Sequence, residues 1–129
     1  MTSGIVETFN GMPVHYIDAQ DALEAAAAGW LRREVVALDT EFMRVRTFHA
    51  QAALFQVCDG EACFLVDPLA VGDLAPLARL LDARDVLKVM HSCSEDLEVC
   101  DRHLGALPDP LVDTQIVAAF CGYPLSVGY

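Results

Sequence analysis

The sequence has little positive charge: eight Lys and Arg residues stand against nineteen Asp and Glu residues, giving a formal net charge of −11. A surface of this kind repels a polyanion unless a metal ion or a local basic patch intervenes. The overall charge therefore argues against a nucleic-acid partner, and any such partner must be bound at a local feature.

Long apolar runs are also absent. No run reaches the roughly 18 residues of a membrane-spanning helix, and the start, MTSGIVETFNG, has neither the basic nor the apolar segment of a secretory leader. We therefore expect no membrane partner and a cytoplasmic location.

The cysteines lack the spacings typical of a zinc site. There are five of them, so they cannot all be paired, and no two form a CxxC or CxxxC sequence. This pattern predicts buried free thiols in a reducing compartment and no zinc site. The five are Cys58, Cys63, Cys93, Cys100 and Cys121.

Apolar residues, in contrast, are abundant, at 54% of 129 residues. The length suits one domain, or part of one. An apolar content above the roughly 45–50% of ordinary proteins fits a buried sheet, or a fragment whose covering helices are missing.

The order of the apolar patterns predicts an α/β fold. Three strands in a row, followed by alternating helix and strand, indicate an antiparallel meander plus parallel strands, flanked by helices. Strands are predicted over 12–17, 35–39, 51–57, 62–66 and 86–90 and directly after Pro110, with a tight Asp59-Gly60 turn between the third and fourth. Helices are predicted over 21–31 with Asp18 as cap, over 71–83, over 94–105 with Ser94 as cap, and after the brief strand that follows Pro110, where Gly122 and Pro124 end the helix.

Asp39 and Glu41 lie two residues apart at the end of the apolar strand VVALD. Side chains at i and i+2 share one face of a strand, so the two carboxylates converge. Converging carboxylates raise each other's pKa and are stabilised as anions by a hard cation such as Mg²⁺ or Mn²⁺. Taken alone, the pair is a weak signal, because acids at a strand end are more often solvated or cap a neighbouring turn.

A third acid, Asp96, follows the next buried strand through the short segment HSCSED. From the first turn of a helix its carboxylate could reach the same edge of the sheet. The other interpretation is that Glu95 and Asp96 only complement the helix dipole.

In combination these segments resemble a known family. The stretches LDTEFMRVRTFHAQAALFQVCDG, HSCSEDLEV and LPDPLVDTQIVAAFCGYPLSVGY, in this order over residues 12–129, resemble bacterial ribonuclease D. The resemblance implies a ribonuclease H-like fold and a DEDD-type 3′→5′ exonuclease in which four acids bind two divalent metal ions. It implies that Asp39 binds both ions, that Glu41 binds the ion holding the attacking water, and that Asp96 serves the other ion, mostly through water.

The family's third motif, a Tyr followed four residues later by an Asp, has no counterpart in this sequence. We therefore expect residues 1–129 to be the N-terminal part of a single exonuclease domain, C-terminally truncated and catalytically crippled. The missing helices should leave an apolar patch, through which the chain could form a homodimer.

Other residues could contact nucleic acid. Arg44 and Arg46 supply positive charge beside the proposed metal site, Phe42 supplies a ring on which a base could stack, and His91 matches a family histidine. The alternatives are a solvated loop for the arginines, a core position for Phe42 and a structural role for His91. Asp113 matches a recurrent family position outside the usual metal ligands, for which we expect a role in supporting a ligand or capping a helix.

The leading hypothesis is an exoribonuclease that releases nucleoside 5′-monophosphates from the 3′ ends of single-stranded RNA, with processing of tRNA or other structured RNA implied by the resemblance. The alternative is a catalytically incomplete module that binds nucleic acid or a protein partner, which the missing third motif favours. A third hypothesis, a metal-binding or interaction domain without nucleic acid, has only the acidic charge in its favour.

Overall fold

The computed structural model of the chain describes residues 4–9, 11–43 and 51–123. The strands are β1 Gly4–Phe9, β2 Met12–Ile17, β3 Val35–Met43, β4 Gln51–Cys58, β5 Cys63–Val66, β6 Leu87–Met90 and β7 Leu111–Asp113. The helices are α1 Gln20–Trp30, α2 Ala75–Asp82, α3 Ser94–Leu104 and α4 Thr114–Phe120. None of the helices in these ranges combines the length and the apolar character needed to cross a bilayer.

The strands form one mixed sheet in the order β1-β2-β5-β4-β3-β6-β7. Strands β3, β4 and β5 are successive antiparallel neighbours, whereas β6 is parallel to β3 and β7 is parallel to β6. Strand β2 runs parallel to β5 on the other side. The predicted fold, an antiparallel meander extended by parallel strands and flanked by helices, is confirmed.

Strand β3 has two chemically different faces. Val36 and Thr40 are buried, while Val35, Asp39 and Glu41 are exposed. Because residues at i and i+2 share a face, this alternation means that helices cover one side of the strand, while the other side is open in the described structure. The two acids of the LDTEF segment therefore lie on the open face.

The main core lies on the covered face. It joins Leu23 and Trp30 of α1, Leu77 and Leu80 of α2 and Val99 of α3 to the inward-facing strand residues. Helix α4, in contrast, has no buried residue. Its Phe120 is 89% exposed, and Val35, Ile116, Val117 and Tyr123 are also exposed large apolar side chains.

The sequence contains one lysine, Lys88, and it lies on β6 with 0% exposure. Its ammonium donates hydrogen bonds to the main-chain oxygens of Ala83 and Asp109. Desolvation by burial lowers the pKa of Lys88, which the nearby charges of Asp109 and Asp82 partly oppose. Two loops on the same side of the sheet are thereby tied to one strand.

Two local predictions were wrong. The N-cap of α1 is Ala19 rather than Asp18, and no side chain forms a capping hydrogen bond there. One carboxylate oxygen of Asp18 is buried without a hydrogen-bond partner among the described residues. The N-cap of α3 is Cys93 and no side chain caps that helix, so the predicted capping by Ser94 is absent. The predicted turn at Asp59-Gly60 does join β4 to β5, through residues 59–62, and the Asp59 carboxylate accepts the N–H groups of Glu61 and Ala62 there.

Strand β1 was not predicted. It pairs antiparallel with β2, and Gly11 in the connection has a φ of 80°, a conformation that favours glycine. The pairing of β1 with β2 is a tertiary feature that the composition of the segment does not reveal.

The prediction that the cysteines are free, buried thiols was wrong for three of the five. Cys58 and Cys63 are direct partners in the β4–β5 register and form a disulfide, with their Cα atoms 4.2 Å apart. Cys121 is free but exposed, whereas Cys93 and Cys100 are free and buried as expected. The pairing depends on strand register, which a search for short cysteine spacings does not test.

The three free thiols should differ strongly in reactivity. Burial raises the pKa of Cys93 to about 11 and that of Cys100 to about 12, and the thiolate is the reactive form. From the shift at Cys93, we expect iodoacetamide to modify Cys93 and Cys100 at least about 100-fold more slowly than Cys121 in the native chain. Peptide mass spectrometry measures this, with the unfolded chain as control. Modification of Cys93 as fast as Cys121 would contradict the described packing.

Candidate active site

The first two acids of the candidate site lie close to the end of β3. Asp39 and Glu41 are both exposed, and the register between β3 and β4 shifts directly after Glu41, between Glu41 and Phe42. Such an irregularity re-aims the side chains next to it and is frequent beside active sites. The carboxylates thus stand on the open face, where the regular sheet pairing is interrupted.

Asp96 approaches the same strand from the helix layer. It lies in the first turn of α3, is 6% exposed, and its Oδ1 accepts hydrogen bonds from the hydroxyl and the main-chain N–H of Thr40, the latter at 3.2 Å. The N–H of Thr40 also donates to Oδ1 of Asp39 at 2.9 Å. One residue of β3 therefore connects two of the three predicted acids.

The electrostatics of the acids are linked. The pKa of Asp39 is raised by desolvation and by the charge of Glu41, although the N–H of Thr40 opposes the shift. The pKa of Asp96 is raised by desolvation and then by the charges of Asp39 and Glu95, against the hydrogen bonds from Thr40. The charge of Glu41 thus raises the pKa of Asp39, and the charge of Asp39 raises the pKa of Asp96. A cation bound beside these carboxylates would relieve the repulsion between their charges.

No group of three or more His, Cys, Asp or Glu side chains within residues 4–9, 11–43 and 51–123 is arranged to hold one metal ion. The donor chemistry nevertheless suits a hard divalent cation, because the three acids offer only carboxylate oxygens. The described ion pairs occupy Arg33, Arg79 and Arg84 with acids other than these three.

The loop between β6 and α3 is held by Asp113, the last residue of β7. Its carboxylate accepts the N–H groups of Ser92 and Cys93, the thiol of Cys93 and the N–H of Gln115, so that it also caps α4. Burial raises the pKa of Asp113, but these hydrogen bonds outweigh it and lower the pKa to about 2. Ser92, held at a φ of 53°, turns the chain toward the helix that carries Asp96.

His91 is half-buried, and its Nδ1 lies 2.8 Å from the hydroxyl of Thr114, which donates to the main-chain oxygen of Met90. Asp39, His91 and Thr114 line one open cavity of about 410 Å³ on this part of the sheet. The structure thus brings His91 and Asp39 to the same cavity.

Of the other three residues predicted to contact nucleic acid, the structure describes Phe42. Phe42 is partly buried and packs against the main core, which is the alternative that the sequence left open. Arg44 and Arg46 lie outside the described residues. Thr40, in contrast, was not predicted to be a site residue. Its position in the strand predicts a buried side chain but not the contact of that side chain with Asp96.

The fold and these features define a class: an α/β domain with acids grouped at the end of a central strand, as in metal-dependent nucleases. A protein-family model described as 3′-5′ exonuclease matches residues 14–129. The chain belongs to this family.

Comparisons with individual proteins agree. Ribonuclease D of Pseudomonas paraeruginosa is 48% identical over 116 residues, which are 90% of this chain and 31% of that protein. The crystal structure of Escherichia coli RNase D, named an exoribonuclease involved in structured RNA processing, matches with a TM-score of 0.86 and 45% identity over 92% of this chain. The catalytic core of RRP6 from Trypanosoma brucei, at 23% identity and a TM-score of 0.81, shows the same fold.

The resemblance to ribonuclease D and the fold class are thereby confirmed. This chain spans about a third of the relatives it matches, covering 32% of the E. coli protein and 35% of the RRP6 chain. The activity of those whole proteins consequently enters below as a proposal.

Proposed function

We propose that residues 1–129 are the N-terminal part of a 3′→5′ exoribonuclease domain that depends on two divalent metal ions. It would hydrolyse phosphodiester bonds at the 3′ ends of single-stranded RNA and release nucleoside 5′-monophosphates. The observation that carries the proposal is the link from Asp39 through Thr40 to Asp96, which brings acids from two distant motifs to one strand end in a member of an exonuclease family. Structured RNA, including tRNA, is the proposed substrate, in the cytoplasm.

The acids would share Mg²⁺ or Mn²⁺ ions in pairs. Asp39 and Glu41 would hold one ion, while Asp39 and Asp96 would serve the other, Asp96 mostly through water. Each ion would contact at most two of the three acids. The arrangement therefore does not need all three carboxylates to surround a single ion. When bound, two such ions stabilise the attacking and the leaving oxygen of a phosphoryl displacement.

The surrounding residues would orient the acids and the RNA. Asp113 fixes the loop that leads into α3, so we propose that it maintains the position of Asp96. His91, on the cavity that also contains Asp39, is proposed to contact a substrate phosphate. Arg44, Arg46 and Phe42 are proposed contacts for the phosphate backbone and a base, and they would supply the local attraction that the net charge of −11 does not.

A second candidate function is a catalytically incomplete module that binds RNA or a protein partner. It is favoured by the absence of any Tyr followed four residues later by Asp in the sequence. The exposed apolar side chains of β3 and α4, Phe120 above all, would then serve as the contact surface of a homodimer or of another partner.

The decisive experiment follows a 5′-labelled single-stranded RNA with Mn²⁺. We expect the chain alone to trim it little, because the fourth acid is missing. Extended by the third-motif segment of a full-length ribonuclease D, it should produce a ladder that starts at the 3′ end. In the extended protein, Asp39→Asn should slow trimming by more than about 100-fold, since loss of a ligand exceeds the cost of losing an outer hydrogen bond.

Three outcomes separate the proposals. Trimming that persists with Asp39→Asn would remove the proposed metal site. Trimming that does not begin at the 3′ end would contradict the proposed direction. An extended protein that binds the RNA without ever cutting it would favour the incomplete binding module.

A further inference from the structure

Thr40 separates the two acids of the LDTEF segment, yet its side chain lies on the other face of β3. Asp39 and Glu41 are exposed, whereas Thr40 is 6% exposed among the residues that face the helices. Because side chains alternate along a strand, the two acids lie on the open face. The hydroxyl of the residue between them lies at the start of α3. Asp96, also 6% exposed, meets that hydroxyl.

The contact determines how Asp96 is oriented. Oδ1 of Asp96 accepts two hydrogen bonds from Thr40, one from the hydroxyl and one from the N–H at 3.2 Å. Both described hydrogen bonds to this carboxylate therefore engage the same oxygen, so Oδ2 is the oxygen available to another ligand. A carboxylate with one oxygen fixed by two donors cannot rotate freely about its last side-chain bond.

We propose that Thr40 is a positioning residue whose hydroxyl fixes the carboxylate of Asp96 and leaves Oδ2 available to a divalent cation. The inference rests on the proposed function, because it concerns the same metal site. It adds a residue that is neither a ligand nor a substrate contact. The N–H of Thr40 also donates to Oδ1 of Asp39 at 2.9 Å, so one residue contacts both carboxylates.

The alternative is that Thr40 merely satisfies its own buried hydroxyl and contributes only to stability. The two roles differ in what they predict for metal affinity. A hydrogen-bond partner that orients a metal ligand typically changes metal affinity by about 10–100-fold when it is removed. A purely structural contact changes the free energy of unfolding and leaves the affinity of the folded protein unaltered.

The test is a Mn²⁺ titration of the folded chain, with free Mn²⁺ measured by electron paramagnetic resonance. Thr40→Val keeps the shape of the side chain and removes the hydroxyl, so we expect Mn²⁺ affinity to fall by about 10-fold or more. Thr40→Ser restores the hydroxyl and should return the affinity to near that of the unmodified chain. Val66→Ala, a truncation in β5 at a position with 0% exposure, is the control for lost stability and should leave the affinity unchanged.

The outcomes keep the two proposals apart. Unchanged Mn²⁺ affinity in Asp39→Asn would remove the metal site itself. Lost affinity in Asp39→Asn together with unchanged affinity in Thr40→Val would overturn the role of Thr40 and leave the metal site standing. If Thr40→Val does not fold, Thr40→Ala compared with Thr40→Ser decides the question, because affinity equal in these two variants would also overturn it.

Discussion

Replacing Asp39 by Asn should abolish the stabilisation that Mn²⁺ gives to the folded chain. A metal ion that binds only the native state raises the free energy of unfolding by about 2.7 kcal/mol when its concentration is 100 times the dissociation constant. Asp39 is the acid through which the charges of Glu41 and Asp96 are linked, so its loss should affect both ions. Thermal unfolding with and without Mn²⁺ measures the effect.

The same substitution should have the opposite consequence without metal. Removing the charge of Asp39 relieves its repulsion of Glu41 and Asp96, so the metal-free variant should be as stable as the unmodified chain or more stable. Asp85→Asn makes the same charge change at an exposed position in the turn before β6 and should keep the full response to Mn²⁺. Equal responses in Asp39→Asn and the unmodified chain would remove the proposed site.

The second large effect is expected at Lys88. Its two hydrogen bonds from a charged donor contribute about 1.5–3 kcal/mol each, while the desolvation of an ammonium costs several kcal/mol. Lys88→Met keeps the side-chain volume and removes the buried charge, but it leaves the main-chain oxygen of Asp109 without this donor, so it should be less stable than the unmodified chain by about 1–3 kcal/mol. Lys88→Ala also leaves a cavity and should be less stable than Lys88→Met by about 2–5 kcal/mol, measured by urea denaturation.

The pH dependence of stability provides an independent check on Lys88. The pKa of this lysine is lowered in the folded state, so between that value and the ordinary 10.5 the unfolded chain binds more protons. Stability should therefore rise with pH across this window, through the contribution of Lys88. Lys88→Met should lack this contribution, and an identical pH profile in both proteins would show that Lys88 is not buried as described.

Patterns that repeat along one segment could be predicted from the sequence. The alternation around Asp39 and Glu41 placed both acids on one face of a central strand, and the apolar runs predicted the meander and the parallel strands. Features that depend on register between segments could not be predicted. The pairing of Cys58 with Cys63 and the bond from Thr40 to Asp96 each join residues whose contact follows only from the assembled sheet.

The same distinction between predictable and unpredictable features applies to the candidate site. That acids follow two buried strands is visible in the sequence, and the resemblance to ribonuclease D assigned them roles. How Asp96 reaches β3 is not visible, because its carboxylate comes from the helix layer rather than along the open face. The metal-binding roles of Asp39, Glu41 and Asp96 therefore stay predictions, and the titration of the Thr40 and Asp39 variants tests them.

The burial of Lys88 has a practical consequence for labelling and cross-linking. Because this is the one lysine of the sequence and it is 0% exposed, its amine should react slowly with N-hydroxysuccinimide esters while the chain is native. Amine-reactive cross-linkers such as glutaraldehyde would then have no exposed lysine side chain to join, so thiol-directed cross-linking at the exposed Cys121 is the better test for a homodimer.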